Sequence, residues 1–340
     1  MNKKNRHAGR CFRIFFALLW ILSLFSLGGS LRRELDVLAH FQLLWTAIYA
    51  LALLAFRSWP RVKAAYWRPW LPILLCWIGF VFHGGQMLFL WIPHFSSQDL
   101  DRPETLQVAW ANVQSGRKDL PRDFRKWLKD QELDLLAMAE VGPAARKSQE
   151  LQPLLPHVFA PASGGLLLLS RFPILEQEVF EPLPGRIALR VVLQVHRRRL
   201  TVFAAHNLGP LEIGHQQYLL QLAKKVSEEK SALLLGDFNT TPWTAVFRSL
   251  KGEAELRDGR RGRGIQGSWR PKGWHLPWLP IDHALVRGAA EIRSLEAGPA
   301  FQSDHRPLSL TLLLGGSRSH PPDRAPANPE TGPAGPPPGP

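Results

Sequence analysis

Cysteine is nearly absent. Cys11 and Cys76 are the two in 340 residues, so neither a disulfide scaffold nor a cysteine-ligated metal site is available to the C-terminal part of the chain. They leave the redox compartment open. Acidic side chains are also scarce, 28 Asp+Glu against 42 Lys+Arg, for a formal charge of +14. The shortage is local: residues 1–99 hold 11 basic and 3 acidic side chains, leaving 31 and 25 for residues 100–340. A basic surface for nucleic acid would spread its charge differently; flanks of membrane segments fit better. At 45% hydrophobic the chain can bury a sizeable core, which excludes wholesale disorder.

What the N-terminal third has is apolar length. Three runs, about 14–30, 37–56 and 71–92, are expected as transmembrane helices, each near the roughly 20 residues that cross a hydrocarbon core. The second is softened by His40 and Gln42 and the third by His83 and Gln86, either as a polar path or as helix-to-helix hydrogen bonds. The competing readings are a signal peptide cleaved at Gly28-Gly29-Ser30 and a pair of buried core helices. Trp59, Trp67, Trp70 and Trp91 sit at segment ends, where rings meet the membrane interface. Basic residues alternate between inward and outward loops as 5, 2, 4 and 1, so everything after residue 93 is expected outside the cytoplasm, on a plasma-membrane protein. Beyond residue 315, nine Pro and four Gly in 25 positions predict a disordered tail.

Residues 104–315 alternate short apolar runs with amphipathic ones. Strands are expected at 106–111, 133–138, 165–170, 187–195, 200–206, 232–235, 281–286 and 307–314, and helices at 122–131, 215–229 and 242–250. This is mixed α/β, with helices packed outside sheets. Polar residues recur at the strand ends: Asn112, Glu140, His206, Asp237 and Asn239 in GDFN, Asp282, and Asp304-His305 in SDHRP. Any one of them could be a turn residue; finding carboxylates, amides and imidazoles at most strand ends points to a site. Glu140, Asp237 and Asp304 offer oxygen donors suited to Mg²⁺ or Mn²⁺ rather than Zn²⁺. His305 could orient or deprotonate water, and Asn side chains could hold phosphate oxygens without adding charge.

These motifs, in this order, resemble the endonuclease/exonuclease/phosphatase superfamily, which includes deoxyribonuclease I and sphingomyelinases. Asn112-Val113, Glu140, Ala205-His206, Gly236-Asp237-Phe238-Asn239, Ile281-Asp282-His283 and Ser303-Asp304-His305-Arg306-Pro307 carry the likeness. TTPWTAVF after GDFN, and GSWRP before LPIDH, look like the bacterial membrane-anchored branch. The resemblance implies a four-layer α/β sandwich, two mixed β-sheets flanked by helices, over residues 104–315. It implies that Glu140 ligates Mg²⁺ with Asn112 and Asp304 in support, that Asp237 activates water, and that Asn239, His206 and Asn112 contact the phosphate. His305, oriented by Asp282, would stabilise the transition state or act as base. Ala139 and Ala205 replace the Gln and Thr that family members often carry there, so support around the ligands could be weaker.

The expected function is thus a membrane-anchored, Mg²⁺-dependent phosphoric-ester hydrolase acting outside the cytoplasm, of endonuclease or phosphodiesterase type. The alternatives are a phospholipid- or sphingomyelin-directed phosphodiesterase and a catalytically silent binding module. Partners would be a phosphoester substrate, nucleic acid or phospholipid headgroup, and the lipid bilayer, with no obligate protein partner. Arg257, Arg260, Arg261 and Arg263 form a glycine-interleaved loop, either a grip on anionic substrate or a mobile insertion. Arg197–Arg199 read as a solvated turn, and Trp269, Trp274 and Trp278 as stacking platforms, lipid contacts or core.

Overall fold

The computed structural model describes residues 3–58, 70–93, 100–114, 120–143, 153–163, 165–275 and 277–317. The loop that carries Trp59, Trp67 and three of the inward basic residues, and the tail beyond residue 317, lie outside the described residues.

Two six-stranded sheets form the body. Their strands are β1 (Leu100–Asn112), β2 (Leu135–Ala139), β3 (His157–Phe159), β4 (Leu167–Ser170), β5 (Ile174–Leu183), β6 (Arg186–Val195), β7 (Arg198–His206), β8 (Ala232–Asp237), β9 (Arg257–Asp258), β10 (Asp282–Arg287), β11 (Ala290–Ala297) and β12 (Leu308–Ser317). The first sheet runs β11-β12-β1-β2-β4-β3 and the second β5-β6-β7-β8-β10-β9. Both are mixed, because β1 with β2 and β7 with β8 are parallel while the other pairings are antiparallel. LLAMA of β2, LLLS of β4 and ALLLGD of β8 are buried throughout, as strands covered on both faces must be. Leu106, Val108 and Trp110 meet Val191, Val202, Leu233 and Leu235 between the sheets. Outside, α5 (Arg122–Asp130) packs Phe124 and Leu128 on Leu136 and Met138. On the opposite face α6 (His215–Ser227) and α7 (Ala245–Glu253) pack Tyr218, Leu222 and Phe247 on Phe203 and Leu234. Four layers result, as expected. β3, β5, β9 and β11 were not expected; β5, ILEQEVFEPL, is an edge strand whose side chains are mostly part-exposed, so it lacks an apolar run.

The N-terminal part departs from the three-span expectation. Its helices are α1 (Lys3–Phe25), α2 (Arg33–Ala39), α3 (Gln42–Ser58) and α4 (Trp70–Leu88), with 3₁₀ turns at Gly28–Ser30 and Phe89–Trp91. Among the described residues one helical stretch, Trp70–Trp91, is long and apolar enough to cross a membrane; Arg13–Phe25 and Gln42–Ser58 are shorter apolar helices. The second run is split because residues 33–39 turn onto the sandwich, where buried Asp36 accepts from the backbone N–H of Ala245 (2.7 Å) and Val246 (3.1 Å) at the start of α7. Inside the bundle, His83 contacts Ser23 Oγ (2.7 Å) and Gln42 Oε1 (2.5 Å), and Gln86 donates to Gln42 (3.3 Å). These three polar residues therefore tie helices together, while His40 packs toward His215 of α6.

Candidate active site

The C-terminal ends of β1, β2, β7 and β8 and the start of β10 converge between the sheets. Asp282 pairs with Asp237 across β10 and β8, and His206 pairs with Asp237 across β7 and β8. Asn112 ends β1 opposite Ala139 of β2, one residue before Glu140. Register thus sets Asn112 beside Glu140 in the first sheet and His206, Asp237 and Asp282 together in the second, and the packing of sheet on sheet joins the two sets. Glu140 and Asn239 adopt left-handed backbone (φ 55° and 50°), uncommon for such residues and concentrated at functional sites. In GDFN a Cβ at Gly236 would strike the Phe238 ring and the Ala205 carbonyl, so only glycine fits.

Asp237 Oδ2 is the focus. The Asn112 amide donates to it (3.0 Å) and to Glu140 Oε1 (3.0 Å), while Asn112 Oδ1 accepts from the Gln114 N–H (3.1 Å). Asn112 thus enters as a bridge between two carboxylates, with its carbonyl oxygen turned to its own loop. The Nε2 atoms of His305 and His206 lie 3.6 and 3.7 Å from Asp237 Oδ2, and His206 lies 3.8 Å from Glu140. Asp237 Oδ1 accepts from the Asn239 N–H (2.9 Å), and the Asn239 amide donates to the Asn207 carbonyl (3.0 Å).

His305 Nδ1 donates to Asp282 Oδ2 (2.8 Å). Asp282 is fully committed: Trp110 Nε1 donates to Oδ1 (2.7 Å), its N–H donates to Ser268 Oγ (3.0 Å), and Arg260 donates to its carbonyl. Burial penalises the charge on Asp282, but His305 and these donors hold its carboxyl below the usual range. Burial also opposes a charged His305, yet Asp282 and Asp237 raise it to about 10. Asp237 shifts opposite to Asp282; burial first, then the Asp282 charge, push it up against His305 and His206. The two histidines after β10's start and in SDHRP thus differ. His283 receives Arg260 Nη1 at Nδ1 (2.9 Å), donates to Thr240 O (2.7 Å), and stacks on Phe238, so burial and Arg260 keep it neutral.

Asp237, Asp282 and His305 offer atoms that all lie within 4.8 Å of one another. Because Asp282 and His305 already satisfy each other, this trio reads as a proton-handling relay. Cation donors remain in Glu140 and Asp304. Asp304 Oδ2 accepts from Trp269 Nε1 (3.1 Å), whereas its Oδ1 is buried without a partner among the described residues, as an oxygen awaiting a cation would be. Ser303 Oγ donates to the Asn112 carbonyl (3.1 Å), bringing the SDHRP turn to Asn112. The residues present therefore fit a hard divalent ion.

Three positioning residues escaped the sequence reading, Trp110, Asn207 and Ser268, and Arg260 was read as part of a basic loop rather than as a support for Asp282 and His283. Asn207 directly follows His206, which was its one available signal; the others look like core or loop. Three arginines of the basic loop are engaged within the fold. Arg260 is fully buried behind Asp282 and His283, and Arg257 and Arg263 donate to backbone carbonyls. Trp269 and Trp278 are likewise engaged, the latter under Arg270 and Arg306, while Trp274 is exposed. His196 and Arg197 form the tight turn between β6 and β7.

Solved structures share this fold. An endonuclease/exonuclease/phosphatase from Bacteroides vulgatus is 19% identical, with a TM-score of 0.52 over 62% of this chain and 99% of its own. A family protein from Bacteroides thetaiotaomicron is 14% identical, with a TM-score of 0.53 over 63% and 99%. Humanized D. rerio TDP2 is 16% identical, with a TM-score of 0.50 over 61% and 98%. No curated relative matches the sequence. The sequence model of the Endonuclease/Exonuclease/phosphatase family matches residues 109–305, a span that contains every strand-end residue of the site, and the chain belongs to that family.

Proposed function

We propose that this protein is a membrane-anchored, divalent-metal-dependent phosphodiesterase whose catalytic domain lies outside the cytoplasm. One observation carries the reading: Asp237 Oδ2 sits 3.0 Å from the Asn112 amide and within 3.7 Å of two imidazole Nε2 atoms. A carboxylate made more basic by burial can take a proton from an attacking water. His305 carries a proton on Nε2 and has Asp282 to stabilise the charge, so it can offer a hydrogen bond to a phosphoryl oxygen. His206 and Asn239 add further hydrogen-bonding groups beside Asp237. A Mg²⁺ or Mn²⁺ ion held by Glu140 and Asp304 would neutralise phosphate charge.

Anchoring is supported by the bundle's outward face. Leu18, Ile21, Leu44, Leu51, Leu54, Trp77, Ile78 and Val81 are all exposed on α1, α3 and α4, an unfavourable surface in water and a favourable one in lipid. The test uses the full chain in detergent, since Asp36 caps a helix of the sandwich. Hydrolysis of plasmid DNA, RNA, phospholipid vesicles or a small diester is expected with Mg²⁺. Undiminished activity in excess chelator would refute the metal mechanism.

A further inference from the structure

The arginine loop surrounds a cavity of about 360 Å³ that shares no residue with the active site and is lined in part by Pro93. Arg257, Arg261, Arg263 and Arg293 line it, against the acids Glu291 and Asp258. Among the described residues, none of the four guanidinium groups has a carboxylate oxygen within 4.0 Å. Arg257 donates to the Gly288 and Ala290 carbonyls, and Arg263 to those of Gly259, Arg261, Ile292 and Arg293. Backbone carbonyls fix Arg257 and Arg263 in place and Glu291 and Asp258 offset part of the charge, while Arg261, engaged through Nε, and exposed Arg293 keep guanidinium N–H groups suited to forked recognition of phosphate.

Position decides which phosphate. The last turn of the membrane helix lies against this loop: Leu90 O accepts from the N–H groups of Gly262 (2.8 Å) and Gly264 (3.2 Å), both at positive φ. Arg261 lies 3.5 Å above the Phe89 ring and donates to Ile92 O (3.2 Å). Leu88, Phe89, Trp91 and Ile92 are between 49% and 64% exposed, an apolar collar that ends where the cavity's wall begins at Pro93. If the collar lies in the outer edge of the hydrocarbon, the cavity opens at headgroup depth.

We infer that this cavity binds the phosphate of an anionic phospholipid from the leaflet in which α4 ends, holding the catalytic domain in a fixed pose on the membrane. The inference rests on the anchoring proposed above. It is tested with the full chain in chelator, in nanodiscs of phosphatidylcholine with or without phosphatidylglycerol. Phosphatidylglycerol should raise the thermal midpoint and co-purify in preference to phosphatidylcholine. Arg293→Glu should reduce that preference about tenfold, while hydrolysis of a soluble diester with Mg²⁺ stays unchanged; Arg261→Ala should act in the same direction. Equal retention of both lipids, or an unaltered preference in Arg293→Glu, would overturn the assignment. Glycerol phosphate matching the phosphatidylglycerol effect in phosphatidylcholine discs would make this a free-phosphate site and also overturn it. Extraction of the chain from membranes by alkaline carbonate would overturn the anchoring and the lipid with it; retention without lipid preference would overturn the cavity alone.

Discussion

Asp282 has no polar atom left over, and that fixes what His305 can do. With Trp110 on one carboxylate oxygen and His305 on the other, the imidazole cannot flip, and Nε2 is the atom that faces Asp237. Alanine at His305 or at Asp237 should lower turnover by about 10²- to 10⁴-fold with the fold intact, as removal of a proton-transfer group does; near-native turnover by either would cancel its role. The charge state is separately testable in the metal-free protein. Because His305 is raised to about 10, the stability it gains from Asp282 is full below the unfolded histidine value, about 6.5, and is lost as pH rises through about 10. Asp282 is lowered, so its own contribution is present above the unfolded carboxylate value and is lost on acidification. Unfolding by denaturant should therefore separate wild type from His305→Gln widely at about pH 6 and little at about pH 11. An equal gap at both would show that the pair is not charged. The chemically active residues were legible because a carboxylate or imidazole at a strand end has few structural reasons to be there. Their supports were not, because Trp110 and Ser268 are indistinguishable in sequence from residues that merely pack.

At the scale of elements, Asp36 joins two parts of the chain that the sequence separates by 209 positions. The start of α7 has two caps, Thr244 Oγ1 accepting from Phe247 and Asp36 accepting from Ala245 and Val246, and the helix's positive end favours the carboxylate. Asp36→Ala should cost about 1 kcal/mol, read as a lower thermal midpoint of the full chain. A midpoint unchanged in that variant would mean that the anchor and the sandwich do not share this cap. The same contact explains why 37–56 was misread as one span. Hydropathy sees the apolar side chains around His40, but not that a single carboxylate three residues into α2 has a helix terminus to bind. β2, β4 and β8 were legible as uninterrupted apolar runs. β5, interrupted by Glu176, Glu178 and Glu181, and two-residue β9 carry no such run and are strands only because a neighbour pairs with them.

At the scale of the whole molecule, the proposed anchoring raises the question of which side of the membrane the site occupies. α3 has 17 residues, about 25 Å of helix, short of the roughly 30 Å core, whereas the Trp70–Trp91 stretch has 22. Under the proposed anchoring this stretch crosses, and the charges that flank it orient it whatever α1 and α3 do. Arg57, Arg61, Lys63 and Arg68 precede it with no acid among them, while Asp99, Asp101 and Glu104 follow it with a single Arg102. With this stretch spanning as proposed, the basic side would stay in the cytoplasm and residues after 93 would lie across the membrane. On that proposed topology substrates would be limited to extracellular nucleic acid, outer-leaflet or envelope lipid, or another exported phosphoester, and a cytosolic repair role would be excluded despite the fold. A C-terminal fusion to alkaline phosphatase should be active in cells, and a fusion to green fluorescent protein exported by the Sec route should stay dark. A bright fluorescent fusion with an inactive phosphatase would reverse the topology and return the enzyme to cytoplasmic substrates.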